Sequence, residues 1–537
     1  MMDKNGNFGV MLDMSRNGVM RVSEVKKYVD YLAKFGYNSL QLYTEDTYEI
    51  DGEPFFGYLR GRYTHEELKE IDRYCLSKGV ELIPCIQTLA HLNQIFRWPE
   101  YAPINDTRDI LLVGEDSTYA LIDKMFKTSA ECFTSRRINI GMDEAFMLGC
   151  GKYLERNGYH KGYDIIRQHL ERVLEIAKKY EFKPMMWSDM FFRLATGGSY
   201  EIPKNGLNKD ALKSVPEEVS LVYWDYYSTD SKHYEKMISA HQQFNRDLWF
   251  AGGAWTWTGF APCNRFSIKS MEKAIQNCKK SGLKNVFITV WGDNGRECSQ
   301  FAVLPTLFYL KQYYDGAYDK RIIKKKFFEI TGESFDNMMD LDLPNMVAGN
   351  KDTYLNPSKH MLYNDPFLGY FDTTCSDGVE EEYARYAKKL AGYASKKTEF
   401  SYLYDFESKL CKALSYKYAL GKKTRECYKA KDMDGLRGLV TTYKQAEKFV
   451  KEFYKSFKIL WNKECKPFGF EIQDARLGGL IHRLESCREK IEDYVNGKTD
   501  RIEELEIELL DYWNKKAPSK QIPVYQDYKT NISTSVL

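Results

Sequence analysis

The sequence predicts a (β/α)8 TIM barrel followed by an all-α C-terminal region, and two observations carry that prediction. Up to about residue 300, short apolar β-rich runs alternate with amphipathic helical stretches, the pattern of βα units around a parallel sheet. Beyond about Leu310 that rhythm stops and long charged, Tyr- and Lys-rich helical segments take over. At 537 residues the chain exceeds what one hydrophobic core usually serves, so a division into a barrel over 1–309 and a helical domain over 310–537 is expected.

Eight runs read as strands: Phe8 to Asp13, Ser39 to Tyr43, Val80 to Ile86, Ile138 to Met142, Pro184 to Trp187, Val219 to Trp224, Leu248 to Gly252 and Val286 to Trp291. An open doubly wound sheet would not show so even a rhythm. In a barrel the C-terminal ends of the strands carry the active site. The intervening helices have recognisable ends. Thr64-His65-Glu66-Glu67 reads as a capping box, and Gly79 can take the left-handed C′ conformation that stops that helix. In the second half, Glu380 to Ser401 and Leu436 to Trp461 read as helices, and Leu477, Leu480, Ile481, Leu484 and Ile491 form one apolar stripe that must pack on a neighbour. The residues after Pro523 read as loosely ordered.

Composition excludes several function classes. The 78 basic and 76 acidic residues nearly cancel, which argues against nucleic acid as a partner. Met1 to Gly9 carry no apolar run of signal-peptide length, and no stretch has the ~18 apolar residues of a membrane span, so a soluble, cytoplasmic protein is expected. The 12 cysteines show neither a CxxC pair nor a regular framework, which suits reduced thiols and supports no zinc site. No cofactor and no metal are expected. A small oligosaccharide or glycan end is the expected partner, with self-association as a homodimer left open.

The sharpest chemical feature is Ile138-Asn139-Ile140-Gly141-Met142-Asp143-Glu144, a buried strand ending in two consecutive acids. Glycoside cleavage needs an acid to protonate the leaving oxygen and a second group to stabilise the developing oxocarbenium ion. Neighbours on a straight strand point to opposite faces, so the two acids suit different roles. Generic Asp-Glu pairs are usually helix caps or solvated pairs; position at a strand end behind Gly141 sets this one apart.

Five of the nine tryptophans follow the same logic. Trp187 ends the fifth run, Trp224 the sixth, Trp255 and Trp257 follow the seventh, and Trp291 ends the eighth. A single Trp is more often core packing, but at four consecutive strand ends indoles suit the apolar faces of a pyranose and can wall in an acetamido methyl. Charged residues fall at the same rim: Asp13 and Arg16, Glu45 and Asp46, His91, and Asp293 with Glu297. Carboxylates and a bidentate Arg can define an exo pocket around sugar hydroxyls, although each alone could equally be a salt bridge or cap. His91 reads functionally as a hydrogen-bond partner that tunes the general acid.

With these residues in view, the sequence resembles family 20 glycoside hydrolases, the β-N-acetylhexosaminidases. Ile140-Gly141-Met142-Asp143-Glu144 is similar to that family's fourth-strand motif, Leu12-Asp13-Met14-Ser15-Arg16 to its first-strand Asp and sugar-gripping Arg, and Trp291-Gly292-Asp293 to its final Trp-x-acid. Trp187 and Trp224 match its stacking tryptophans. The resemblance covers roughly residues 8 to 300 and implies an exo-acting enzyme that removes terminal β-linked GlcNAc or GalNAc by retaining, substrate-assisted catalysis. Glu144 would be the general acid/base, and Asp143 would orient the 2-acetamido group, whose carbonyl attacks the anomeric carbon to give an oxazolinium ion.

There are departures. The family's third-strand Pro-Gly-His stands here as Leu89-Ala90-His91. Its strand-seven Tyr and Asp have no clean match near Gly253-Ala254-Trp255-Thr256-Trp257, and Tyr226 or Tyr227 could supply the missing hydroxyl. With the first strand near Phe8 there is no room before it for the α/β domain many members carry, so a compact subgroup with a helical C-terminal region fits best. Two other readings are a sugar-binding barrel that has lost catalysis and a retaining glycosidase whose nucleophile is Asp225 or Asp293.

Overall fold

The computed structural model describes residues 6–351, 353–516, 521–524 and 526–536. Residues 1–5 of the N-terminal stretch read above lie outside them, as do Tyr525 and Leu537 of the tail. The chain forms two compact units. The first comprises Met1–Ala254, Ser267–Val290 and Leu307–Tyr318; the second comprises Trp255–Phe266, Trp291–Thr306 and Asp319–Leu537.

The first unit is built on a closed barrel of eight parallel strands: β1 (Asn7–Asp13), β2 (Ser39–Tyr43), β3 (Glu81–Cys85), β4 (Arg137–Asn139), β5 (Lys183–Trp187), β6 (Ser220–Trp224), β7 (Leu248–Gly253) and β8 (Asn285–Val290). Each pairs with its sequence neighbours, and Phe8 beside Val286 closes the ring. Val10, Leu40, Leu82, Val222, Phe250 and Ile288 are buried, as strands covered on both faces require.

The helix His65–Ser77 begins at the expected capping box: Thr64 Oγ1 accepts from Glu67 N at 3.1 Å, and Thr64 N donates to Glu67 Oε2 at 3.0 Å. The left-handed Gly79 (φ 72°) turns the chain into β3. The eight runs all become strands, but three stop short. The third ends at Cys85, not Ile86, the fourth at Asn139, not Met142, and the eighth before Trp291. At the fourth the cause is local: Gly141 and Met142 are both left-handed, at φ 74° and 70°, which no strand tolerates.

The second unit is helical, with Val379–Ala394, Ser401–Lys417, Leu420–Ala430, Met433–Glu464 and Phe470–Val495 as its main elements. Leu436, Leu439, Tyr443, Ala446, Val450, Phe453, Phe457 and Leu460 recur every three or four residues on the 32-residue helix and are buried. On the next helix the predicted stripe is buried at Leu477, Leu480, Leu484 and Ile491, with Ile481 at its margin. These two helices pack on each other and are tied at their edges by Arg488 to Glu447 and Lys444 to Glu492. The tail departs from the reading of loose order. Tyr528–Ile532 is a short helix capped by Asp527, and Asn531 is fully buried, because polar contacts to distant segments hold it. Among the described residues, no helix is long and apolar enough to cross a membrane.

Candidate active site

The two acids do not lie on a straight strand. After β4 the backbone takes left-handed values at Gly141, Met142 and Glu144 (φ 52°), so their directions are set by an irregular turn and not by strand alternation. Left-handed backbone at the non-glycine Met142 and Glu144 is the kind of strain that surrounding structure must over-determine. The over-determination is visible. Gln87 Oε1 accepts from Met142 N at 3.2 Å, Glu144 N donates to Asp189 Oδ2 at 3.1 Å, and Met142 is fully buried. Gly141 is required for a second reason: a Cβ there would lie 2.0 Å from Gln87 Oε1 and 2.9 Å from the Ile86 carbonyl.

Gln87, just past β3, organises the site. Its Nε2 donates to Asp143 Oδ1 at 2.8 Å and to the Tyr43 hydroxyl at 2.9 Å. His91, held at φ 59° with its N–H on Asp109 Oδ2 at 3.0 Å, brings Nε2 to 3.2 Å from Asp143 Oδ2 and 3.8 Å from Glu144 Oε2. The imidazole is thus closer to Asp143 than to Glu144, the acid it was expected to serve.

Electrostatics separate the two acids. Burial alone would raise the Asp143 pKa, but the His91 charge and the bonds from His91 and Gln87 hold it below the ordinary carboxylate range. Glu144 is raised, first by burial and then by the Asp143 charge. For His91, burial works against the charged form, yet Asp143 and then Glu45 push its pKa up to about 9. Asp189, fully buried at the start of the helix Asp189–Thr196, is raised to about 6 by burial and by Asp143. One turn on, Arg193 bonds Asp189 Oδ2 through Nε at 2.8 Å and approaches Glu144 Oε1 at 3.3 Å.

A second cluster gathers after β1 and β2. Arg16 bonds Asp13 Oδ2 at 2.9 Å and Glu45 Oε1 at 3.3 Å, and its guanidinium lies 4.9 Å from the Tyr43 ring centre. Tyr43, which donates to Glu45 at 3.1 Å while accepting from Gln87, links this cluster to Asp143. Asp46 is buried against Arg60, at 3.1 and 3.2 Å, and Arg60 also donates to the Ser15 carbonyl.

Trp187 is 1% exposed, with its ring 5.9 Å from Phe287. Trp224 is half-buried, stacks on Tyr226 at 5.4 Å and lies 5.9 Å from the Arg193 guanidinium. Tyr226 is 5% exposed whereas Tyr227 is 49% exposed. Through these contacts the first unit links Arg16, His91, Asp143, Glu144, Trp224 and Tyr226; it also carries Asp46, which is paired with Arg60, and Trp187, whose indole packs against Phe287. Trp257, Trp291 and Asp293 belong to the second unit. There Trp257 stacks on Trp255 at 4.1 Å, and Trp255 stacks on Tyr354 at 4.8 Å. Glu297, read as a rim acid, is instead locked between Lys359 (2.7 Å) and Arg476 (3.0 Å).

Sequence reasoning missed Gln87, Arg60, Asp189 and Arg193. Position alone could have flagged Gln87, beyond β3, and Asp189, beyond β5, because strand ends of a barrel face the ligand. For a metal, the described residues offer Asp51, His65 and Glu131, whose ligand atoms lie within 4.8 Å of one another. Two of the three are exposed, and Lys127 already sits 3.6 Å from Asp51 and 3.7 Å from Glu131.

Residues 8–244 match the family 20 glycosyl hydrolase catalytic domain, and residues 333–523 match the glycoside hydrolase 20C C-terminal domain. Hexosaminidase D of Homo sapiens is 25% identical over 247 residues, 43% of this chain and 48% of that protein; the Bos taurus protein is 23% identical over 236 residues, 42% of this chain and 63% of that one. This chain thus accounts for about half of the human relative and less than two thirds of the bovine one. A solved β-N-acetylhexosaminidase from Bacteroides fragilis is similar over 61% of this chain and 71% of its own, at 19% identity and a TM-score of 0.46. With a catalytic-domain match that takes in Asp143 and Glu144 and a second match over the helical part, the chain belongs to glycoside hydrolase family 20.

Proposed function

We propose that this protein is an exo-acting β-N-acetylhexosaminidase that releases terminal β-linked GlcNAc or GalNAc with retention, using the substrate's acetamido group as nucleophile. The observation that carries the reading is the division of labour between adjacent acids: Asp143 is held anionic by His91 and Gln87, while burial and the Asp143 charge keep Glu144 protonated to higher pH. A protonated Glu144 can give its proton to the leaving glycosidic oxygen. An anionic Asp143 can accept the acetamido N–H and favour positive charge on that group as its carbonyl oxygen bonds to the anomeric carbon. Glu144, then a carboxylate, takes a proton from the water that opens the oxazolinium ring. Arg16, Asp46, Trp187, Trp224, Tyr226, Trp257, Trp291 and Asp293 are assigned to binding the terminal sugar. No cofactor or metal enters this scheme.

A protein nucleophile is less well supported. Asp225 accepts from the Tyr223 hydroxyl at 3.1 Å, His233 at 2.8 Å, Tyr227 N at 2.9 Å and Ser228 N at 3.2 Å, so its lone pairs are engaged in a turn. Placement in the cytoplasm is supported by 12 cysteines without CxxC spacing, most of them buried. Paired chromogenic substrates test the function: turnover of an N-acetyl-β-glucosaminide with none of the plain β-glucoside is expected, and equal turnover of both would overturn substrate assistance.

A further inference from the structure

Within the second unit, the ten residues that follow β8 are clasped by buried charge to an unusual degree. This segment turns sharply at Gly295 (φ 106°) and Arg296 (φ 53°), with Arg296 N bonded to the Gly292 carbonyl at 2.7 Å. Glu297 bridges Lys359 and Arg476, and the three side chains are 2%, 0% and 11% exposed. Arg476 also donates to the Asn294 carbonyl and to Asn294 Oδ1, each at 2.8 Å, and Gln473 Nε2 donates to the Gly295 carbonyl at 3.4 Å. A second buried pair joins Arg296 to Glu464 at 3.9 Å, where Glu464 also accepts from Ser299 and Tyr402. The C-terminal tail completes the clasp. The Gln526 carbonyl accepts from both Asn294 and Lys359, and the Tyr528 ring centre lies 4.9 Å from the Arg476 guanidinium.

Burying five charges costs stability that apolar residues would not, and such groups are best attested where they fix one arrangement among several. The arrangement fixed here is that of residues 294–299, which anchor the preceding Trp291-Gly292-Asp293 through Arg296 N on the Gly292 carbonyl and Gly295 N on the Asp293 carbonyl. Four separate pieces of chain converge on it: the helices Pro357–Tyr363, Met433–Glu464 and Phe470–Val495, and the tail at Gln526–Tyr528.

We infer that the helical unit and its C-terminal tail are a positioning device for substrate binding, in which Lys359, Arg476 and Gln526–Tyr528 hold the segment carrying Trp291 and Asp293 in its ligand-ready conformation. This rests on the sugar-binding role given to Trp291 and Asp293 above. Arg476 and Lys359 are positioning residues and touch no substrate. Because the segment contributes binding and supplies no proton, loosening it raises KM more than it lowers kcat.

The test compares the full-length wild-type enzyme with Arg476→Met, Arg476→Lys, Tyr528→Leu and a chain ending at Val524, on an N-acetyl-β-hexosaminide. A KM increase of about tenfold or more is expected for Arg476→Met and for the truncation, with kcat changed less than about threefold, since small displacements of binding groups have large kinetic effects. Arg476→Lys recovers part of the loss, and Tyr528→Leu, a milder change, gives a smaller KM rise in the same direction. Arg425→Met is the control. That buried guanidinium donates to the Leu505 and Ile507 carbonyls at 2.9 and 2.8 Å and to the Phe367 and Glu504 carbonyls, away from residues 291–300, so its loss lowers Tm with KM unchanged. If the clasp variants merely lower Tm as the control does, the inference falls. A wild-type enzyme that binds and turns over no N-acetylhexosaminide would instead overturn the functional reading, before any variant is compared, and this inference with it.

Discussion

Replacing His91 by Asn probes the charge arrangement that separates the two acids. His91 sits at φ 59°, a left-handed value that Asn tolerates better than most residues, so the exchange preserves the backbone and removes only the cation. In the wild type, burial disfavours the imidazolium, but Asp143 and Glu45 override this and move its pKa from 6.5 to about 9. At about 1.4 kcal/mol per pH unit, that difference amounts to roughly 3 kcal/mol of folding free energy. Because the folded-state value is the higher one, the contribution is fully present below pH 6.5 and is lost as pH rises through about 9. Thermal melts of both proteins from pH 6 to pH 10 at low salt would read it. At pH 6 the Asn variant should melt roughly 6–12 °C lower in the barrel's transition, and the gap should close across the interval from about 6.5 to 9. The acid side of its activity profile should also move to higher pH, since Asp143 loses the cation that holds it anionic. Parallel melting curves, with the same gap at pH 6 and pH 10, would refute the paired imidazolium.

Three further outcomes are expected. Glu144→Gln should lower kcat by about 10²- to 10⁴-fold on a natural glycoside and by much less on a substrate with a good leaving group; unchanged turnover on the former would assign the acid elsewhere. A thiazoline mimic of the oxazolinium ion should inhibit competitively, with Asp143→Asn losing most of that affinity, whereas trapping of a covalent fluorosugar without thiazoline inhibition would favour a protein nucleophile. Arg193→Met removes a cation that lowers the Glu144 pKa, so the alkaline limb of the kcat/KM profile, where Glu144 loses its proton, should shift to higher pH; a shift to lower pH would contradict the 3.3 Å contact.

Local patterning carried the barrel: alternation of apolar runs with amphipathic stretches located all eight strands, and the Thr64 to Glu67 spacing located a helix start, because both depend on residues close in the chain. The acids Asp143 and Glu144 were legible for the same reason, as a motif at a strand end. Their different protonation was not. It comes from Gln87 and His91, 56 and 52 residues before Asp143, and from Asp189 and Arg193, 45 and 49 residues beyond Glu144. A lone Gln or Arg in sequence has no partner until the barrel closes, and pKa values depend on burial and on charges within a few ångströms. The tail misled for a matching reason. Its polar composition reads as solvated, yet Gln526 meets Asn294 across 232 residues of chain, and that contact exists only in the folded molecule. Sequence by itself determined the strands, the helices and the acid pair, whose signals are periodic and local. The tertiary structure alone decided which carboxyl keeps its proton and which distant segments hold the residues after β8, since both rest on contacts between groups far apart in the chain.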